Sequence, residues 1–273
     1  MQYNLVRRDG SANITVVVDG EMLVADDQHP LFDEIVQAAI DGDESVVDLF
    51  DTSRRAASVL ENLSDRVQVA NSRVWVDQTE VEDAFADLLI DLLNEGEEDY
   101  QPYVNFLEKV YSNTSAGIRE NLSRWLKAEQ FTILPNGNIL GYRGLNQNFT
   151  SKHAGPGIVN GVTVNGHLDN SPGNVLELPV ELVEVNAARG CASGLHVGTY
   201  EYATGWAGYG GLVVSVEVDP RHVRSVPYEC ESSKMRVSKY VVREVVTNKV
   251  ESRYADESEY NEYVDDEDGD YYY

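Results

Sequence analysis

Cysteine, basic side chains and long apolar runs are all scarce in this sequence. Two cysteines, Cys191 and Cys230, occur among 273 residues, too few for a disulfide framework, and this favours a reducing compartment. The apolar runs, such as residues 14–18, fall far short of the ~20 residues that cross a bilayer. No apolar stretch follows the polar start of the chain, so we expect no signal peptide. We therefore expect a cytoplasmic protein that does not insert into a membrane.

The shortage of positive charge limits the kinds of partner that we expect for this protein. Lysine and arginine number 21 against 47 aspartates and glutamates, a formal net charge of −26. A surface this negative repels phosphates and anionic lipid, so we expect no nucleic-acid partner. A basic protein, a metal ion or simple solubility is a better explanation of the charge.

The first half of the chain carries the signals of hairpins and helices. Asp19-Gly20 lies between two apolar runs, which predicts a hairpin with a type I′ turn. Apolar residues recur at helical spacing across most of residues 30–129. Asn71-Ser72 joins two short alternating runs that predict a second hairpin. We therefore predict a mostly helical N-terminal half with small β-hairpins, residues 1–128.

The second half changes to short apolar runs separated by Gly, Asn, Asp and Pro. This pattern predicts a sheet-centred, mixed α+β C-terminal domain over residues 129–250, with one short helix at 199–207. The polar, glycine-rich stretch 146–172 is predicted to be a long loop, of the kind that is usually functional or mobile. Residues 251–273 hold ten carboxylates and one arginine, which predicts a disordered acidic tail or a tail that docks on a basic partner. The predicted fold class is α+β.

Sequence motifs for common catalytic and metal sites are missing. There is no G-x-S-x-G nucleophile elbow. The cysteines and histidines lack zinc-site spacing, and the acidic clusters lack the spacing of a calcium-binding EF-hand. We therefore predict two structural cysteines, no metal and no cofactor, and an enzyme is the less favoured reading.

One constellation points to chemistry nonetheless. Arg143 is predicted at a strand end, His196 in a Gly-Leu-His-Val strand and Tyr202 on the following helix. Glu229 or Glu231 follows downstream. This order loosely resembles ADP-ribosyltransferase folds. The resemblance implies that the arginine clamps a pyrophosphate, a tyrosine stacks on a nicotinamide and a glutamate holds a ribose hydroxyl. The alternative is structural: a surface ion pair, a hydrogen-bonded sheet histidine and tyrosines that cap the core.

Four segments of the second half occur in a recognisable order. They are LDNSPG at 168–173, GCASGLHV at 190–197, VEVDPRHV at 216–223 and SKMR at 233–236, followed by a closing strand at 240–245. In this order and at these spacings they resemble the rIIB family of tailed phages. The resemblance covers roughly residues 12–247 and is fainter in the first half. Some family members open with a helix-turn-helix-like segment that this chain lacks, so the resemblance implies no nucleic-acid role here.

The resemblance implies a non-enzymatic regulatory protein in the cytoplasm of the infected host. The implied roles are lysis timing and protection of infection against prophage exclusion, through an rIIA-like, membrane-associated protein partner. The candidate partner contacts are Lys234, Arg236, Asp169, Asn170 and His196, and the alternative is that the cations neutralise the acidic chain internally. A nucleotide-binding or ADP-ribosyltransferase-like domain and a structural virion component stay open as other functions.

Overall fold

A computed structural model describes most of the chain. The described residues are 1–8, 10–29, 31–50, 63–70, 73–81, 85–86, 100–113, 115–127, 132–228 and 233–248. They form two compact units, residues 1–100 and 101–273. Glu231, the predicted tail and much of the predicted helical stretch lie outside the described residues.

The first unit combines two small antiparallel sheets with short helices. Its elements are β1 (Gln2–Arg8), β2 (Ser11–Val18), β3 (Glu21–Asp26), α1 (Phe32–Asp41), α2 (Val46–Phe50), β4 (Val67–Ala70), β5 (Arg73–Val76) and β6 (Thr79–Glu80). The sheets have the strand orders β1-β2-β3 and β4-β5-β6.

The predicted Asp-Gly hairpin is the β2–β3 connection. Asp19 and Gly20 have φ angles of 52° and 86°, as a type I′ turn requires. Alternate residues of β2 point inward, and Ile14 and Val16 are completely buried against α1. This hairpin is therefore confirmed.

The prediction of a mostly helical N-terminal half is corrected by the strands around these hairpins. β1 pairs with β2 from Gln2↔Val17 to Arg8↔Ser11, and β6 pairs with β5. Every residue of β1 except Leu5 is exposed, so the strand lacks the apolar alternation by which a sequence reveals a strand. The described residues form a mixed α+β fold in which strands predominate.

The second unit contains the larger sheet. Its helices are α3 (Gln101–Tyr111), α4 (Ala116–Lys127) and α5 (Tyr200–Ala207), with 3₁₀ turns at Val180–Leu182 and Pro220–His222. Its strands are β7 (Thr132–Ile133), β8 (Ile139–Leu145), β9 (Thr150–Val159), β10 (Val162–Asp169), β11 (Val175–Glu177), β12 (Leu195–Gly198), β13 (Leu212–Val218), β14 (Val223–Ser225), β15 (Lys234–Val237) and β16 (Lys239–Val246).

The ten strands form one sheet in the order β10-β9-β11-β16-β13-β8-β12-β15-β14, with β7 added to β8. All of the pairings are antiparallel, and the sheet curls into an open half-barrel. Its core is rich in β-branched residues; Val214, Val216 and Val218 of β13 are fully buried. The sheet-centred C-terminal domain is thus confirmed in outline.

Two helices assigned to the N-terminal half by sequence belong with this sheet. The Asn113 side chain, which follows α3, donates to the carbonyls of Pro220 (3.2 Å) and Val223 (2.9 Å). Lys109 of α3 donates to the Asn136 carbonyl at 2.6 Å. Helices α3 and α4 therefore lie in the same compact unit as the sheet.

The predicted loop at 146–172 is largely the long β9–β10 hairpin. Asn160 and Gly161 form its turn with φ angles of 50° and 80°. The loop prediction was wrong because Gly155, Pro156 and Gly157 interrupt the strand pattern of β9. Within the described residues, no helix is both long and apolar enough to cross a bilayer.

Candidate functional site

A cleft of about 370 Å³ lies beside helix α5 in the second unit. Its walls come from β8, β9, α5 and the segment leading into β12. The polar and aromatic side chains that line it include Arg143, Lys152, His153, His196, Tyr202 and Trp206. Among the described lining residues there is no aspartate or glutamate, although these two types dominate the charge of the chain.

The cleft lies where two neighbouring strands make little contact. β8 and β12 pair only through Tyr142 and Gly198. Beside this pair, the Arg143 guanidinium donates from Nη1 to the His196 carbonyl at 2.6 Å. A side chain therefore supplies the hydrogen bond that a continued backbone ladder would otherwise make.

Two glycines let helix α5 lie directly on the sheet. A Cβ on Gly144 would lie 2.2 Å from the Ala203 carbonyl oxygen, and one on Gly198 would lie 2.6 Å from the Tyr202 ring. Thr199 caps the helix by accepting from the Tyr202 backbone N–H at 3.2 Å. This close approach brings Tyr202 and Trp206 to the edge of the cleft.

The charges of three cations act on the His196 imidazole. Strand β15 pairs with β12 so that Arg236 lies opposite His196 and Lys234 lies opposite Gly198. Burial, followed by the charges of Lys234, Arg143 and Arg236, lowers the pKa of His196 to about 4. The ring is therefore neutral at pH 7, and its Nε2 lies 3.0 Å from the Ala192 carbonyl, which accepts the single ring proton.

Lys234 and Arg236 are interior residues. Lys234 is 2% exposed, and its ammonium lies 5.3 Å from the centroid of the Tyr202 ring. Arg236 is completely buried and donates to the carbonyls of Arg189 (2.5 Å) and Asn186 (2.6 Å) and to the Ser225 hydroxyl (2.8 Å). Arg236 therefore holds the loop that contains Asn186 and Arg189 against the sheet, and its side chain is shielded from any partner.

The LDNSPG bend is joined to the same region. Asn170 is completely buried, and its side-chain oxygen accepts from the Tyr240 hydroxyl. Burial raises the pKa of Tyr240 to about 12, and the Arg143 guanidinium carbon lies 5.4 Å from the centre of its ring. Asp169 is exposed, and hydrogen bonds from Ser171 lower the pKa of its carboxyl.

The structure thus distributes the candidate residues unevenly. Arg143, His196 and Tyr202 line one cleft, although Arg143 lies within β8 and not at its end. Glu231 lies outside the described residues. Of the five candidate partner contacts, Lys234, Arg236 and Asn170 are buried, His196 is partly buried and Asp169 is exposed.

Sequence reasoning missed the outer wall of the cleft. Lys152 donates to the Ala207 carbonyl at 2.6 Å and ties β9 to the end of α5. The His153 and Trp206 rings pack edge to face, with their centroids 5.7 Å apart. The Asn160-Gly161 turn signal would have predicted the hairpin that carries both residues.

Three of the four motif segments, the closing strand and Arg143 of β8 meet in one continuous network. Asn170 contacts Tyr240, Tyr240 contacts Arg143, and Arg143 contacts His196, which lies opposite Arg236. Residues that are far apart in the sequence therefore build one interior region beside the cleft.

The family model described as bacteriophage T4 protein rIIB matches residues 5–255. This chain belongs to the phage T4 rIIB family. It is similar to the protein rIIB of Enterobacteria phage T4, with 27% identity over 236 residues, which cover 86% of this chain and 71% of the relative. No solved structure matches the chain. Every cleft residue of this rIIB-family protein lies within the matched range.

Proposed function

We propose that this chain is a non-enzymatic regulatory protein that acts in lysis timing and in protecting infection against prophage exclusion. The observation that carries the proposal is the family match, which spans residues 5–255 and so includes parts of both compact units. The proposed place of action is the cytoplasm of the infected bacterial host.

The proposed mode of action is binding to an rIIA-like, membrane-associated protein. The interior positions of Lys234, Arg236 and Asn170 favour separate roles for the motif residues and the surface residues. The motif segments build the domain, and exposed side chains make the partner contacts. Variants that displace α5 from the sheet should therefore weaken function because they change the shape of the domain.

A complementation experiment tests the biological role. A phage lacking this gene is grown with a plasmid copy, and lysis time and plating on a prophage-carrying host are measured. We expect the deletion to change lysis time and to lower plating on the prophage-carrying host, and the wild-type copy to restore both. Gly155→Ala should also restore them, whereas Gly144→Ala should restore them poorly because its Cβ collides with α5. A deletion that leaves both measurements unchanged would refute the proposal.

An affinity purification from infected cells tests the mode of action. The tagged chain should bring down a second phage-encoded protein from the membrane fraction, and an untagged chain should not. Recovery of the chain in purified phage particles, without such a partner, would instead support a structural virion component.

A further inference from the structure

The charge of the cleft is opposite to the charge of the chain. Arg143 and Lys152 line the cleft, and its described lining contains no carboxylate. Arg143 and Lys234 form no ion pair with any described residue. A partly or fully buried cation without a counter-ion is costly, and such arrangements are concentrated at functional sites. Among the described residues, no carboxylate balances the positive charge at this cleft.

Two polar atoms at the cleft also lack partners. The Nε of Arg143 and the hydroxyl of Tyr202 are shielded from water and make no hydrogen bond to the described residues. Nη1 is the one nitrogen of the Arg143 guanidinium that has a hydrogen-bond partner there. Leaving a buried donor unpaired destabilises the folded chain. A guanidinium whose donors are not all used is suited to bind phosphate through charge-assisted hydrogen bonds.

The rest of the cleft is suited to a planar ring. Trp206 is 42% exposed. The centroid of its ring lies 6.2 Å from that of the Tyr202 ring and 5.7 Å from that of the His153 ring. Leu168, Leu178 and Leu195 add apolar surface. A volume of about 370 Å³ is near the lower end for small-ligand sites and is large enough for one ring and one phosphate.

We propose that this cleft binds a small phosphorylated ligand with a planar ring, of the nucleoside monophosphate class, with its phosphate on Arg143. The aromatic wall of Tyr202 and Trp206 contacts the ring. Lys152 on the cleft wall and the buried Lys234 beside the Tyr202 ring add positive charge. A long polyanion is disfavoured because the net charge of −26 repels it outside the cleft. This inference does not depend on the proposed regulatory function.

Calorimetric titration of the full chain tests the proposal. The probes are AMP, GMP, CMP and UMP, the corresponding nucleosides, and inorganic phosphate. At least one monophosphate should bind about tenfold more tightly than either its nucleoside or phosphate alone, since both parts of the cleft contribute. Arg143→Gln should weaken that monophosphate by about tenfold and leave nucleoside binding nearly unchanged.

A matched control and a second variant keep the test decisive. Arg221→Gln removes the same charge from an exposed arginine that is paired with Asp219, and it should change the affinity by less than about twofold. If Arg143→Gln does not fold, Trp206→Leu at the partly exposed cleft wall should weaken both monophosphate and nucleoside. Absence of binding by all four monophosphates at millimolar concentration would overturn the proposal. Equal affinity for nucleoside and monophosphate, or equal effects of the two arginine variants, would also overturn it.

Discussion

Adding one methyl group at Gly144 should separate helix α5 from the sheet. The new Cβ would lie 2.2 Å from the Ala203 carbonyl oxygen and 2.5 Å from the Ala207 nitrogen. Non-bonded carbon contacts are comfortable at about 3.5–4.0 Å, so the helix must move by roughly 1 Å. Both obstructing atoms belong to the backbone, and no rotamer change can relieve the collision.

The expected cost follows from these contacts. Overpacking of this kind costs about 1–3 kcal/mol, whereas replacing glycine with alanine stabilises by about 0.4–1 kcal/mol through the unfolded chain. The net loss should be about 1–2 kcal/mol in the free energy of unfolding. Urea unfolding followed by circular dichroism measures this loss, and hydrogen exchange at the amides of α5 locates it.

Gly155→Ala is the matched control. Gly155 lines the same cleft on β9, and a Cβ there would meet no atom within 4 Å. This variant should be as stable as the wild type within about 0.5 kcal/mol. Equal stability of Gly144→Ala and Gly155→Ala, or unchanged exchange in α5, would refute the packing argument.

Three further predictions concern the interior network. Because His196 is held neutral with a pKa of about 4, its contribution is present above the ordinary pKa of 6.5 and is lost as pH falls towards 4. Wild type should therefore lose about 3 kcal/mol more stability than His196→Gln between pH 7 and pH 4 in urea unfolding. Arg236→Met should cost about 3 kcal/mol because three acceptors lose their donor, whereas Arg221→Met at an exposed ion pair should cost under about 1 kcal/mol. Tyr240→Phe should lower the unfolding free energy by about 1–2 kcal/mol because buried Asn170 loses a hydrogen bond, and a thermal melt with no shift would contradict this role.

Local turn chemistry made parts of the fold predictable. The Asp19-Gly20 hairpin and the helix at 199–207 were foreseen because a positive-φ turn and an N-cap each leave a signature in a few adjacent residues. The Asn160-Gly161 turn carries the same signature. It was overlooked because glycines and a proline occur inside β9, where side-chain alternation is lost.

The remaining features of the fold could not be predicted from the sequence because they depend on pairing between distant strands. β1 is almost entirely exposed, so its pairing with β2 leaves no apolar pattern in the sequence. Strand β15 contains two cations and looks like a surface segment, yet it lies between β12 and β14 and all four of its residues are buried. Burial of a charge on a central strand depends on neighbours that are distant in the chain.

The candidate site was only partly predictable, because it too depends on contacts between distant segments. Arg143, His196 and Tyr202 were grouped by analogy with another fold, and the structure brings them to one cleft. Whether they bind a nucleotide stays a prediction. Lys152 and Trp206 were missed because their contribution depends on the β9–β10 hairpin folding towards α5.

The central structural claim is that β8, β12 and β15 bring Arg143, Lys234 and Arg236 close enough to act on the partly buried His196 imidazole. Titration of the His196 ring signals by NMR tests this claim most directly, with assignment by comparison with His196→Gln. The ring should stay neutral far below its ordinary range and protonate near pH 4. A midpoint at or above about 6.5 would show that burial and the three cations do not act on the ring, and the account of the network would fail.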